Sequence, residues 1–180
     1  MYLDKYFEAV ESVLHAIREA QRHAIGQAAE AIARSLANGG AVMIMDTGHL
    51  LRHEAFVRAG GLMALTPFSY ELEVESPIEH RKIERTAKQT AELESRTVTL
   101  AIESSKMRRG DVLLINSNSG RTVNVVELAL QCKARGILTI AISSSEQMRR
   151  CPALHPSGKK LFDVADICVD NCGPYGDALV

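Results

Sequence analysis

The sequence predicts an α/β protein: a three-layer sandwich around a five-stranded parallel, flavodoxin-like sheet of order 2-1-3-4-5, preceded by a long N-terminal helical segment. Three observations lead there. Short, nearly continuous apolar runs alternate with stretches of helical spacing, the pattern of a sheet covered on both faces. The runs open into polar or glycine-containing loops at their carboxyl ends, where sheets of this kind bind ligands. The first forty residues carry an apolar stripe at helical period before any strand begins.

That stripe is Leu3, Phe7, Val10, Leu14 and Ile17, extended by Ala24, Ala28 and Ala31 and widened by Ile25, Ile32 and Leu36 beyond a coiled-coil seam. Gly26 is the expected break and Asn38-Gly39-Gly40 the end. Residues 1–40 are assigned to the domain as a helical segment that also meets another subunit, and residues 41–180 as the rest of it. Ala41–Met45 is the first strand, running into Asp46-Thr47-Gly48-His49 and a helix from Leu50 to Arg58 closed by Gly60-Gly61. Leu62–Leu65 is the second strand, ended by Thr66-Pro67. Phe68–Pro77 has no clean period, and a loop of that length points to function. Ile78–Thr90 reads as partly helical and Glu92–Lys106 as a further helix, against which Thr97-Val98-Thr99 counts. Asp111–Ile115 is the third strand, followed by the turn Asn116–Thr122 and a helix over Val123–Arg135 that Gly136 closes. Ile137–Ile142 is the fourth strand, emptying into Ser143-Ser144-Ser145; Pro152 and Pro156 break the next segment, and Gly158–Ala165 allows a short helix. Asp166–Asp170 is the last strand.

With 180 residues, 46% of them apolar, the chain can bury the core of one domain. A net charge of −1 gives no general attraction to nucleic acid or anionic membranes, so neither is expected as a partner. No apolar run approaches the ~20 residues that span a bilayer. The N-terminus MYLDKYFEAV is charged and amphipathic, unlike a secretory signal. Cys132, Cys151, Cys168 and Cys172 form no dense disulfide pattern. A cytoplasmic location is the expectation.

In the 2-1-3-4-5 order the switch point lies between strands one and three, so Asp46–His49 and Asn116–Thr122 face one crevice. The second of these is an anion cradle by its chemistry. The first amides of the following helix lack internal partners, the helix dipole favours negative charge, and Ser117, Ser119 and Thr122 add hydroxyl donors. One of Ser117 or Ser119 is expected to cap the helix, a task needing one hydroxyl of the three. The loop has no P-loop lysine, no G-x-G-x-x-G, and no first glycine for a nucleophile elbow around Ser119. A phosphate site for a small metabolite remains.

Ser117-Asn118-Ser119-Gly120-Arg121-Thr122 matches in full the S-x-S-G-x-T that the SIS (sugar isomerase) phosphosugar-binding domain carries after its third strand, and the segment resembles that family. Thr47-Gly48-His49, Arg58-Ala59-Gly60-Gly61-Leu62, His155-Pro156-Ser157-Gly158-Lys159, Asp170-Asn171 and Gly173-Pro174-Tyr175-Gly176-Asp177 look like an uncharacterised bacterial subgroup of it. More distantly the chain is similar to phosphoheptose isomerases and N-acetylmuramic acid 6-phosphate etherases. The resemblance implies a homodimer or homotetramer binding a sugar phosphate, with Thr47, Gly48, His49, Ser117, Asn118, Ser119, Gly120 and Thr122 around the ligand. Relatives open the first loop with glycine and place serine after the histidine, where this chain has Asp46 and Leu50. The family also implies a C-terminal helix, for which the ten residues after Asp170 leave little room.

Two activities are expected in the alternative. One is a sensor or other carbohydrate-derivative-binding protein without turnover. The other is a sugar-phosphate isomerase or ether-cleaving lyase, with acid–base candidates Glu79, Glu84 and His49. His49 and His53 stand four apart, a metal-ligand spacing without a third ligand in reach, so no metal and no cofactor is expected.

Overall fold

The computed structural model describes residues 1–48, 54–55, 58–78, 81–176 and 178–179. Strands β1 (Val42–Asp46), β2 (Leu65–Pro67), β3 (Val112–Asn116), β4 (Leu138–Ser143) and β5 (Ile167–Asp170) form one parallel sheet in the spatial order β2-β1-β3-β4-β5. The helices of the described residues are α1 (Tyr2–Ala20), α2 (Arg22–Ala37), α3 (Ala87–Glu103), α4 (Val123–Ala134) and α5 (Ser145–Arg150), with one 3₁₀ turn at Leu161–Asp163. The expected architecture and strand order are those observed.

Strand side chains alternate between faces, and this alternation builds the layers. Met43, Met45, Leu113, Ile115 and Ala141 point to one side, against Val98 and Ile102 of α3 and Val125, Val126, Leu128, Ala129 and Cys132 of α4. Val42, Val112 and Ile140 point to the other, against Ala28 and Ile32 of α2. Buried polar ties fix the sheet's entry edge. Asp111, 2% exposed, accepts from the Ala41 amide at 2.9 Å and from the Arg108 amide at 2.7 Å, so the polar residue ahead of β3 staples it to the start of β1. Asp166 does the same ahead of β5, accepting from the Thr139 amide and hydroxyl at 2.9 Å each.

Several boundaries differ from expectation, each for a local reason. β1, β3 and β4 each lie one residue later than expected at both ends, starting after Ala41, Asp111 and Ile137. They run through Asp46, Asn116 and Ser143 because the final pair in register is polar and invisible to an apolar count. β2 lies at Leu65–Pro67 instead of Leu62–Leu65; it is an edge strand, where the missing proline N–H costs no ladder bond. The two helices read across Ile78–Lys106 are one, beginning at Ala87. A capping box starts it, the Gln89 amide donating to the Thr86 hydroxyl at 3.2 Å and the Thr86 amide to Gln89 Oε1 at 2.9 Å. Thr97 and Thr99 sit inside it by returning their hydroxyls to the Leu93 and Ser95 carbonyls at 3.0 Å. α5 was not expected, although Ser144 and Gln147 carry the S-x-x-Q spacing of a helix start, and the Gln147 amide donates to the Ser144 hydroxyl at 3.1 Å.

The short helix expected over Gly158–Ala165 reduces to the 3₁₀ turn. The N-terminal helices part at Gln21 instead of Gly26, and Gln21 Oε1 accepts from the Asp170 amide at 3.0 Å, tying that joint to the end of β5. Gly136 closes α4 as expected: with φ 71° it lets the Ile137 amide reach the Cys132 carbonyl at 3.0 Å. Most of the helix expected over Leu50–Arg58 lies outside the described residues. No helix among the described residues is long and apolar enough to cross a membrane.

Candidate functional site

β1 and β3 are neighbours whose connections leave in opposite directions, so the loops after them meet at the carboxyl edge of the sheet. Asp46 pairs in register with Asn116, and Asn116 Nδ2 donates to Asp46 Oδ1 at 2.9 Å. The Thr47 amide and hydroxyl both donate to the Asn116 carbonyl at 3.1 Å. Asp46, which the family resemblance would have as glycine, therefore has a carboxylate oxygen held by the third strand. Gly48 comes next, at φ 102° in the exposed loop. His49 lies outside the described residues.

The Asn116–Thr122 loop is held by its carbonyls. Asn118 O accepts from the Ser144 amide at 3.0 Å, Gly120 O from the Leu161 amide at 2.8 Å, and Arg121 O from the Leu154 amide at 3.0 Å. The Ser117 amide is spent on the Ile142 carbonyl at 3.0 Å, and Asn118 Oδ1 accepts from Asn171 Nδ2 at 3.1 Å. With the carbonyls so anchored, the amides of residues 119–122 donate to no backbone carbonyl among the described residues. Gly120 is buried at φ 54°, and a Cβ there would fall 2.6 Å from Met148 Cε and 3.0 Å from Leu161 Cβ. A side chain there would be strained by the conformation and crowded by Leu161 and Met148.

Helix α4 begins directly beyond. Thr122 is its N-cap residue, with no side-chain capping bond; neither Ser117 nor Ser119 caps it, contrary to expectation. The hydroxyls of Ser117, Ser119 and Thr122 thus make no hydrogen bond within the described residues. Three hydroxyls and four amides lie at the positive end of a 12-residue helix, a donor-rich arrangement that suits an anion.

Two cavities flank this helix start. The larger, about 390 Å³, is bounded by Tyr70, Leu72, Leu93, Glu94, Thr122 and Asn124. The smaller, about 270 Å³, is bounded by Arg85, Thr90, Glu94, Thr122 and Leu154 among others. Tyr70 and Leu72 come from the long loop that the sequence marked as functional. Thr122 and Glu94 belong to both cavities, so the cradle opens onto each. Glu94 was not among the sequence candidates. It stands three residues after Ala91 and four before Val98, on the inward stripe of α3, and a carboxylate on that stripe is the signal that reading α3 as two pieces concealed. Burial, then the charge of Glu94, raises the Tyr70 hydroxyl above its ordinary value, and the hydroxyl is buried without a hydrogen-bond partner. Glu84 is exposed and borders neither cavity; Glu79 lies outside the described residues.

A second polar cluster braces the far side of α4. His155 Nε2 meets Glu127 Oε2 at 3.1 Å, His155 Nδ1 meets the Ser157 hydroxyl at 2.7 Å, and Gln131 Nε2 donates to Glu127 Oε1 at 2.8 Å and to Thr99 Oγ1 at 2.6 Å. This links α3, α4 and the loop beyond α5. Burial pushes the Glu127 carboxyl up, but hydrogen bonds from Gln131, His155 and Ser95, with the charge of His155, outweigh it and hold the group below its ordinary value. Burial raises the thiols of Cys132, to about 12, and of Cys168 and Cys172, with nearby aspartates adding to the last two, so none of these three is primed as a thiolate. Among the described residues no group of three potential ligands could hold a metal ion.

An all-parallel sheet of order β2-β1-β3-β4-β5 with helices on both faces defines a doubly wound α/β domain. The chain belongs to the SIS domain family, whose profile matches residues 5–144. It is 35% identical over 184 aligned residues to a UPF0309 protein of Caldanaerobacter subterraneus subsp. tengcongensis, covering 99% of this chain and 71% of that protein. It is 32% identical to a UPF0309 protein of Oceanobacillus iheyensis, covering 99% and 72%. Among solved structures, the phosphoheptose isomerase GmhA of Neisseria gonorrhoeae shares the fold with a TM-score of 0.65 at 17% identity, covering 99% of this chain and 88% of that one. A phosphoheptose isomerase from Francisella tularensis does so at 0.64 and 17%, covering 99% and 86%.

The Glu127 cluster has a pH signature. A carboxyl whose folded value lies below its ordinary 4.5 stabilises the fold fully above that value and loses the contribution as pH falls through the folded value. Urea denaturation at a series of pH values should therefore show a decline in stability below 4.5 that is shallower in Glu127→Gln. An identical decline in both proteins would contradict the assignment.

Proposed function

We propose that this protein binds a phosphorylated sugar at the switch-point crevice, with the phosphate on the amides of residues 119–122 and the hydroxyls of Ser117, Ser119 and Thr122. The observation that carries this is the set of donors left without partners at the start of α4, in a loop whose Asn116, Asn118, Gly120 and Arg121 carbonyls are directed elsewhere. Membership of the SIS domain family and the fold shared with phosphoheptose isomerases support the same ligand class. Thr47 and Gly48 form the opposite lip in this reading, and Asn118 and Gly120 act by shaping the loop; His49, proposed as a further ligand contact, lies outside the described residues. The sugar extends from Thr122 toward the two cavities, where Glu94 can accept from its hydroxyls.

A screen of sugar phosphates by thermal shift tests this directly. At a hundred times Kd a native-state ligand adds about 2.7 kcal/mol, equivalent to roughly 5–10 °C for a chain of this size. Ser119→Ala removes a hydrogen bond to a charged group, worth about 1.5–3 kcal/mol, and should weaken binding roughly ten- to a hundredfold. No shift with any sugar phosphate at millimolar concentration, or an unchanged shift in the variant, would overturn the proposal.

One observation favours turnover as a second reading: the half-buried carboxylate of Glu94 between both cavities. Isomerisation of an aldose or ketose phosphate, or cleavage of an ether beside its carbonyl, needs a base that removes a proton next to that carbonyl. Of the residues first considered for this role, Glu84 is solvent-exposed, while Glu79 and His49 are outside the described residues. Sugar phosphates that raise the melting temperature should then be converted, with turnover falling at least about a hundredfold in Glu94→Gln. Conversion that survives this change would remove Glu94 from the chemistry.

We also propose that a second copy of this chain covers α1. No residue of this 19-residue helix is fully buried within its own chain, and Leu3, Tyr6, Phe7 and Leu14 are exposed on it. Light scattering should give at least a dimer for the native chain and a lighter species for Phe7→Asp with Leu14→Asp; a monomeric native chain would refute the arrangement.

A further inference from the structure

The loop beyond α5 carries polar groups in series that the crevice does not use. His155-Pro156-Ser157-Gly158 is a β-turn closed by the Gly158 amide, which donates to the His155 carbonyl at 2.9 Å, with proline at its favoured second position. The turn folds Ser157 back onto the imidazole of His155. The Ser157 amide meets Nδ1 at 3.2 Å, and the Ser157 hydroxyl meets it at 2.7 Å. An amide can only donate, so Nδ1 is an acceptor and the ring proton sits on Nε2. Nε2 then donates to Glu127 Oε2 at 3.1 Å. The Lys159 amide donates to Ser157 Oγ at 3.3 Å, which leaves the hydroxyl's own proton for Nδ1. The turn closes through the Gly158 bond; the hydroxyl, ring and carboxylate in series are additional to it.

We propose that Ser157 is an activated nucleophile, with His155 as its general base and Glu127 as the group that orients the base, and that this second centre cleaves carboxylic esters of short acyl groups. A hydroxyl within hydrogen-bond reach of a base that a third group holds in place is the arrangement such nucleophiles need. The side chains of His155 and Glu127 are 9% and 18% exposed, whereas Ser157 is open to solvent, where a substrate can reach it. Gln131 fixes the carboxylate in turn, donating to Glu127 Oε1 at 2.8 Å. A cavity of about 480 Å³ begins at the next residue, Gly158. Met148 and Phe162 give it apolar surface for an acyl chain, and Arg149 and Lys160 favour the negative charge that develops on the ester's carbonyl oxygen. In the reaction Ser157 Oγ bonds to the carbonyl carbon and its proton passes to His155 Nδ1. The bond from that carbon to the alcohol oxygen then breaks, and the alcohol leaves with the proton from Nδ1. Water repeats the sequence on the acyl-serine, releasing the acid and restoring the hydroxyl. The proposal does not rest on the phosphosugar reading above.

Diisopropyl fluorophosphate and p-nitrophenyl acetate test it on the native chain. The first should lose fluoride and leave a single phosphoryl adduct, which peptide mass spectrometry places on Ser157; the second should be hydrolysed catalytically. Ser157→Ala, a change at an exposed position that does not endanger folding, should remove both reactions. His155→Ala should slow acylation at least about a hundredfold, and added imidazole should restore it, which a histidine with a merely structural role would not allow. Glu127→Gln should lower kcat for the acetate at least about tenfold with KM unchanged. No adduct on the native chain, or an adduct that persists in Ser157→Ala, would overturn the proposal. So would a His155→Ala chain that reacts as fast as the native one, or one whose loss imidazole does not restore.

Discussion

Everything at the crevice depends on how the Asn116–Thr122 backbone is held. Its carbonyls are taken by Ser144, Leu161 and Leu154, elements beyond β4, and its one residue with positive φ, Gly120, is pressed against Met148 and Leu161 with no room for a Cβ. A loop fixed through its acceptors leaves its donors facing outward. Preorganisation of this kind lowers the cost of ordering when an anion arrives, because the amides are already arranged. The same constraint explains the polar residues around it. Asn171 steadies the Asn118 side chain, Asp170 Oδ1 accepts from the amides of Ser145 and Cys172, and Asn116 joins the loop to Asp46 and Thr47.

The order of the sheet was legible in the sequence because alternating apolar runs and helical stretches leave few right-handed topologies. The cradle was legible for a related reason: a strand, a hydroxyl-rich turn and a helix in direct succession carry their geometry in local sequence. What stayed hidden was set by contacts distant along the chain. Asp111 looks like a polar entry residue and is a buried staple between β1 and β3. Gln21 breaks the N-terminal helix where Gly26 was the local candidate, and its side chain meets β5 from 149 residues away. Glu94 became visible as a crevice residue only once Thr86 was seen to start a single α3, which set the helix phase. The threonines that argued against this helix satisfy their hydroxyls on its own carbonyls.

The site divides its labour by element. Loops after β1 and β3 meet over polar contacts and handle charge, whereas α3 and the segment after β2 bring an apolar wall and one carboxylate. That division suits a ligand with a charged end and a less polar end. The cluster of Glu127, Gln131 and His155 stands behind α4 and keeps its axis fixed relative to α3, so the donors at the front of α4 and the wall on α3 hold their mutual distance.

The central claim is that the phosphate of a sugar sits on the loop at the start of α4. Backbone amide shifts in a nitrogen-15 correlation spectrum, monitored while a sugar phosphate is titrated in, test it most directly. The account predicts that the largest saturable shifts fall on Ser119, Gly120, Arg121 and Thr122, and that inorganic phosphate moves the same amides more weakly. Saturable shifts centred elsewhere, for example on Arg149 and Lys160 beyond the start of α5, with these four amides unmoved, would contradict it.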